Sequence, residues 1–148
     1  MVILAAIGEE RHPNPVIEVA HDLAQAHDER LDVLHVVPDD DFAAHRDAIA
    51  DLPGYEDHSF TQEEQSAANF AEEVTRETLG GVTVDVSGVG RVGDPVEQTI
   101  SVVERTDPRY LVIGGRRRSP AGKAVFGSRT QDILLQSSVP VMTVMQDE

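Results

Sequence analysis

A chain of 148 residues has the size of one domain that buries a core without metals or cross-links. It contains no cysteine, which excludes disulfides, thiolate catalysis and sulfur-ligated metals. Its 27 acidic and 12 basic side chains leave a net charge of −15, which repels the phosphates of duplex nucleic acid. Lys123 is the single lysine; abundant carboxylates with almost no lysine suggest a halophile's cytoplasmic protein, whose self-repulsion salt screens over a few ångströms.

The opening residues Met1–Arg11 hold a six-residue apolar run. It is too short for a membrane span and lacks the basic start and cleavage site of a signal peptide, so a cytoplasmic, membrane-free protein is expected. The run Val2–Ile7 predicts a first strand. Asn14-Pro15, a cap followed by proline, starts a helix carrying Val16, Ala20, Leu23 and His27 at helical spacing. Leu31–Val37 predicts the second strand. Residues 38–60 are acid-, proline- and glycine-rich, long for a connection; they predict an acidic insertion or a flap over the strand ends, with room for a short helix over Asp41–Ala50. A capping box, Thr61-x-x-Glu64, opens a helix that buries Ala67, Phe70, Ala71, Val74 and Thr78 and ends at Gly80-Gly81.

Val82–Val89, alternating apolar and polar, predicts a third strand at a sheet edge. Asp94-Pro95 caps a third helix with Val96, Ile100 and Val103 inward. Tyr110–Ile113 is a fourth, fully apolar strand, a fourth helix starts at Ser128, and Val139–Val144 is a fifth strand whose Pro140 suits an edge. Strands alternating with helices over residues 1–148 predict one doubly wound α/β domain, a five-stranded parallel sheet of order 3-2-1-4-5 with helices on both faces. Its ligand would sit at the carboxyl ends of strands 1 and 4, where the winding direction switches.

The strongest candidate site is the segment Ile113–Thr130. Its glycines admit close backbone approach, the fourth helix offers free N–H groups to an anion, and Arg116, Arg117, Arg118, Lys123 and Arg129 cluster there. A basic-rimmed turn pairing with acidic neighbours is the plainer alternative. Gly88-x-Gly90-x-x-Gly93 matches the dinucleotide fingerprint, but after the third strand and without a following acidic residue; a tight turn leading to the Asp94 cap explains it better. Ser119 and Ser128 have no histidine or acid placed beside them by the sequence and no G-x-S-x-G, so Ser128 reads as a helix cap. His35, inside the second strand, reads as a packed histidine. No pair of histidines has a metal-binding spacing.

The order of elements resembles the universal stress protein family over essentially the whole chain. Leu34-His-Val-Val37, Gly90-Arg-Val-Gly-Asp-Pro95, Val112-Ile-Gly-Gly115, Phe126-Gly-Ser128 and Ser138–Val144 look like that family's segments. The resemblance implies ATP or a related phosphorylated nucleotide as ligand, adenosine held at Ala6, Gly8, Val36 and Ile113, and phosphates at Gly114, Arg117, Gly127, Ser128 and Arg129. It implies a regulatory or stress-response protein, not an enzyme, and a homodimer formed through the fifth strand, which would cover an apolar edge.

Two positions depart from the nucleotide-binding members. Gly8 stands where they carry an aspartate that contacts the nucleoside, a charge-assisted bond typically worth about 1.5–3 kcal/mol. Arg117 replaces the second glycine of G-x-x-G, nine residues, G-[ST]. The alternative expectation is therefore a dimeric interaction module of the same fold that has lost ATP binding. Two others are an anion sensor using the same arginines, and a slow nucleotide hydrolase or α/β hydrolase.

Overall fold

The computed structural model describes residues 1–9, 14–40, 60–117 and 127–147. Strand β1 spans Val2–Ile7 and helix α1 spans Pro15–His27. Then come β2 (Arg30–Val37), α2 (Phe60–Leu79), β3 (Val86–Val92) and α3 (Pro95–Thr106). The last elements are β4 (Tyr110–Arg117), α4 (Ser128–Gln136) and β5 (Val141–Asp147). All strand pairs are parallel and the order is β3-β2-β1-β4-β5, the topology predicted from burial and proline placement. The expected insertion over 38–60 falls mostly on residues 41–59, which lie outside the described residues.

The alternation of β1 side chains divides the core between two faces. Ile3, Ala5 and Ile7 pack with Val16, Ile17, Ala20 and Ala24 of α1 and with Ala71 and Val74 of α2. Leu4 faces the other way, joining Leu34, Leu111 and Ile113 against Val96, Val102 and Val103 of α3 and Ile133 of α4. Ile3, Leu4, Leu34 and Leu111 are completely buried, each worth roughly 1.5–3 kcal/mol. The face of α1 is rotated from the predicted one: Val16, Ile17, Ala20, His21 and Ala24 are buried, Leu23 is partly so, and His27 is exposed.

Helix starts follow their caps. The Asn14 carboxamide oxygen accepts from the backbone N–H groups of Val16 (3.1 Å) and Ile17 (3.3 Å), and Asp94 accepts from that of Glu97 at 2.9 Å. Thr61, expected as a cap, lies inside the first turn of α2. Helix α2 stops at Gly80, whose φ of +65° is the left-handed conformation glycine favours. Asp28 and Asp107 close α1 and α3 in the same left-handed region, at φ 53° and 46°; a short side chain that hydrogen-bonds locally tolerates it.

Strand boundaries differ from expectation by one residue in β2 and by more in β3, β4 and β5. Strand β3 begins at Val86 rather than Val82 because the preceding residues are tied to α1: the Thr83 N–H donates to His21 Nε2 at 3.4 Å, and Gln25 donates to the Thr83 hydroxyl. Gly88 and Gly90 are not turn residues but sit within β3 under α2. A Cβ on Gly88 would lie 2.2 Å from the Ala68 carbonyl oxygen, and one on Gly90 1.9 Å from that of Glu64. Only Gly93, at φ +143°, makes the turn into the Asp94 cap. Strand β4 runs on through Arg117, since β5 extends to Asp147 and pairs with it to the end. Strand β5 starts after Pro140, whose carbonyl accepts from the Leu111 N–H at 3.0 Å.

Candidate functional site

A cleft of about 500 Å³ opens at the carboxyl ends of β1 and β4, the switch point where α1 leaves to one face and α4 to the other. Its floor is formed by Ala6 and Ile7 at the end of β1, Gly8 after it, and Ile113, Gly114 and Gly115 of β4. Leu34 and Val36 of β2, with Pro95 and Thr99 of α3, make one wall. Gly127, Ser128, Arg129 and Thr130 bring the start of α4 to the other side, with Ile133 behind them. Asn14 and Val16 at the start of α1 and Gln146 of β5 complete the rim.

Eight of the nine residues singled out from sequence line this cleft: Ala6, Gly8, Val36, Ile113, Gly114, Gly127, Ser128 and Arg129. The ninth, Arg117, ends β4, with its backbone paired to Asp147. Arg118, Ser119 and Lys123 lie outside the described residues. Glu9 is exposed, while Gly8 occupies the cleft itself. Ser128 is not the cap of α4: Gly127 is, with extended backbone (φ −65°, ψ 164°) and no side-chain cap bond. The first turn of α4 therefore keeps N–H groups without a capping side chain, and they face the cleft beside Arg129. Thr130 clasps this end to β4, its hydroxyl 3.4 Å from the Gly114 carbonyl.

The polar lining residues missed from sequence are Asn14, Thr99 and Gln146, while Thr130 closes the candidate segment Ile113–Thr130. Thr99 was legible as a polar residue between Val96 and Val103 on the inner stripe of α3. Asn14 is fully explained by its cap, so its second role on the rim carried no separate signal. Gln146 reaches the cleft only because β4 and β5 run two residues past Gly115.

The electrostatics of the cleft contrast with those of the chain. Among the described lining residues there is no aspartate or glutamate, and Arg129 is cationic, although the sequence holds 27 acids. The carboxyls with shifted titration lie at the amino ends of the strands, away from the cleft. Glu29 accepts from the Arg109 guanidinium at 2.8 and 2.5 Å, which holds its carboxyl below the ordinary range. Asp32 is buried in β2, and burial pushes its carboxyl up against the opposing pull of Arg30 at 3.3 Å. His35 packs as expected, its Nδ1 3.4 Å from the Ile7 carbonyl oxygen and its ring against Phe70. Among the described residues, no group of three or more His, Cys, Asp or Glu is placed to hold a metal ion, and no helix is long and apolar enough to cross a membrane.

Fold and site together define a doubly wound α/β protein with a cleft at its switch point whose described lining holds no acid and one arginine, suited to an anion. The chain belongs to the universal stress protein family, whose model matches residues 1–145. A universal stress protein of Mycolicibacterium smegmatis is 39% identical over 51 residues, 34% of this chain and 39% of that relative's length. Among solved structures, a universal stress protein from Archaeoglobus fulgidus superposes with a TM-score of 0.64 at 21% identity, covering 97% of each chain. A family protein from Arabidopsis thaliana with AMP bound superposes with a TM-score of 0.58 at 19% identity, covering 98% of this chain and 91% of that one.

Proposed function

We propose that this protein is a stress-response regulator that holds an adenine nucleotide, ATP or AMP, in the β1–β4 cleft without rapid turnover. The observation that carries the reading is a cleft, in a chain of charge −15, whose described lining pairs Arg129 and the uncapped start of α4 with no acidic residue. Phosphate oxygens accept from the first-turn N–H groups and from the guanidinium. The nucleoside lies over Ala6 and Gly8, against Val36 and Ile113. A volume of about 500 Å³ is within the range of small-ligand sites. The AMP in the Arabidopsis structure supports the same ligand class here. An acid-rich, lysine-poor composition supports a salt-rich cytoplasm as the setting. Calorimetric titration of nucleotide-free protein with ATP and with AMP tests the reading: micromolar binding supports it, and no heat at millimolar nucleotide overturns it.

A second reading, a dimeric interaction module, is favoured by a separate observation. Leu134, Leu135 and Met142 are 36%, 83% and 39% exposed and belong to α4 and the edge strand β5. A second copy pairing along β5 covers them. Gly8, in place of a nucleoside-binding aspartate, also suits this reading. A dimer in solution that binds no nucleotide supports it against the first; a monomer overturns it.

A further inference from the structure

The wall of the cleft made by β2 and α3 contains one polar side chain, Thr99, among Leu34, Val36 and Pro95. Thr99 is 3% exposed. Buried helical threonines ordinarily place the hydroxyl on the carbonyl four residues back. Buried Thr75 and partly buried Thr106 do so here, at 2.7 Å to Ala71 and 2.8 Å to Val102, whereas Thr78 of α2, which does not line the cleft, lacks a partner. Thr99 makes no such bond to Pro95, nor one to any other described group. Its hydroxyl is thus an unpaired donor and acceptor in an otherwise apolar wall.

We infer that Thr99 reads the polar edge of the ligand's heterocyclic base, an inference that rests on the nucleotide reading above. Strands β2 and β4 lie on either side of β1, so the Thr99 wall and the α4 terminus are separated by roughly two strand spacings, about 10 Å. That separation matches the reach of a nucleotide from base edge to 5′-phosphate. In the open cleft, water satisfies the hydroxyl. A ligand that fills the cleft displaces that water, and the hydroxyl is then left unpaired unless the ligand supplies a ring nitrogen or an amino group. An apolar wall holding one such hydroxyl therefore selects against flat ligands that lack a polar edge. Thr99 acts as a specificity residue for the base, separate from the phosphate contacts at Ser128 and Arg129.

The test compares the full chain with Thr99→Val, which keeps the shape and loses the hydroxyl, and Thr99→Ser, which keeps the hydroxyl. Each is titrated with AMP by calorimetry and with ribose 5-phosphate by amide chemical shifts, after thermal unfolding has shown the fold intact. The inference predicts that Thr99→Val weakens AMP binding about three- to tenfold, the worth of one neutral hydrogen bond. Thr99→Ser stays close to wild type, and ribose 5-phosphate binds all three alike. Equal AMP affinity in wild type and Thr99→Val overturns the role of Thr99 while leaving the nucleotide reading in place. A matching loss for ribose 5-phosphate also overturns it, since the lesion is then general. Failure of the wild type to bind AMP at all overturns both.

Discussion

Replacing Gly127 by aspartate should make the protein more stable and its ligand binding weaker. Gly127 is the N-cap of α4, with φ −65° and ψ 164°, an extended conformation open to any residue. A Cβ there meets nothing within 4 Å. An aspartate fits without strain and accepts from the N–H groups of the first turn, a better cap than glycine by a few tenths of a kcal/mol, with about 0.3–1 kcal/mol more from the helix dipole. For a chain of this size the melting temperature should rise by about 1–4 °C. The same carboxylate occupies the donors a phosphate needs. At ~5 Å from one phosphate charge and an effective dielectric of about 20, repulsion is about 3.3 kcal/mol. A screening length of about 8 Å at 0.15 M salt leaves roughly half, equivalent to about a twentyfold loss of affinity. Gly127→Asn provides the cap without the charge. Calorimetry with AMP and a thermal melt on both variants decide the matter. A Gly127→Asp protein that is stabilised yet binds AMP like wild type would refute the placement of phosphate at α4.

Other expectations follow from packing, titration and exposure. Gly90→Ala drives a Cβ to 1.9 Å from the Glu64 carbonyl oxygen and 2.7 Å from the Ala68 nitrogen; both are backbone, so a loss of about 3 kcal/mol or more is expected in denaturant unfolding, and an unchanged midpoint would contradict the close approach of β3 to α2. The raised carboxyl of Asp32 favours the fold most at low pH, and that advantage is lost as pH rises from the ordinary value of 3.8 through the higher folded value. Asp32→Asn should therefore raise the melting temperature at pH 7, by about 1 kcal/mol of stability, and change it little at pH 3. Leu135→Asp on α4 should convert a dimer to a monomer in light scattering; a variant that stays dimeric places the interface away from Leu135.

Much of this architecture was legible because local and global signals agree. Asn14-Pro15 and Asp94-Pro95 name their helix starts and cap them as drawn. Continuous apolar runs in β1 and β4 report burial on both faces, and Pro140 reports an edge, which together yield the strand order. The misreadings occur where one residue type serves two purposes. Gly88 and Gly90 read as a turn because spacing alone does not distinguish freedom of φ from absence of a Cβ; only their contact with α2 does. Val82 and Val84 alternate like a strand, yet hydrogen bonds from Thr83 to α1 hold that stretch off the sheet. For the site, glycine, arginine and helix-start signals brought β4 and α4 together. Thr99 and Gln146 enter it through tertiary placement, with only a broken apolar stripe to mark the first.

The central claim is that the cleft holds a nucleotide with its phosphate at the start of α4. Amide chemical-shift mapping during an AMP titration tests it most directly. The account predicts saturable shifts at Gly114, Ser128, Arg129 and Thr130, with a second group at Val36 and Thr99, and none at Asp28, Glu29 or Asp85 at the amino ends of the strands. Spectra unchanged at millimolar AMP, or shifts confined to β5 and the exposed face of α4, would contradict it.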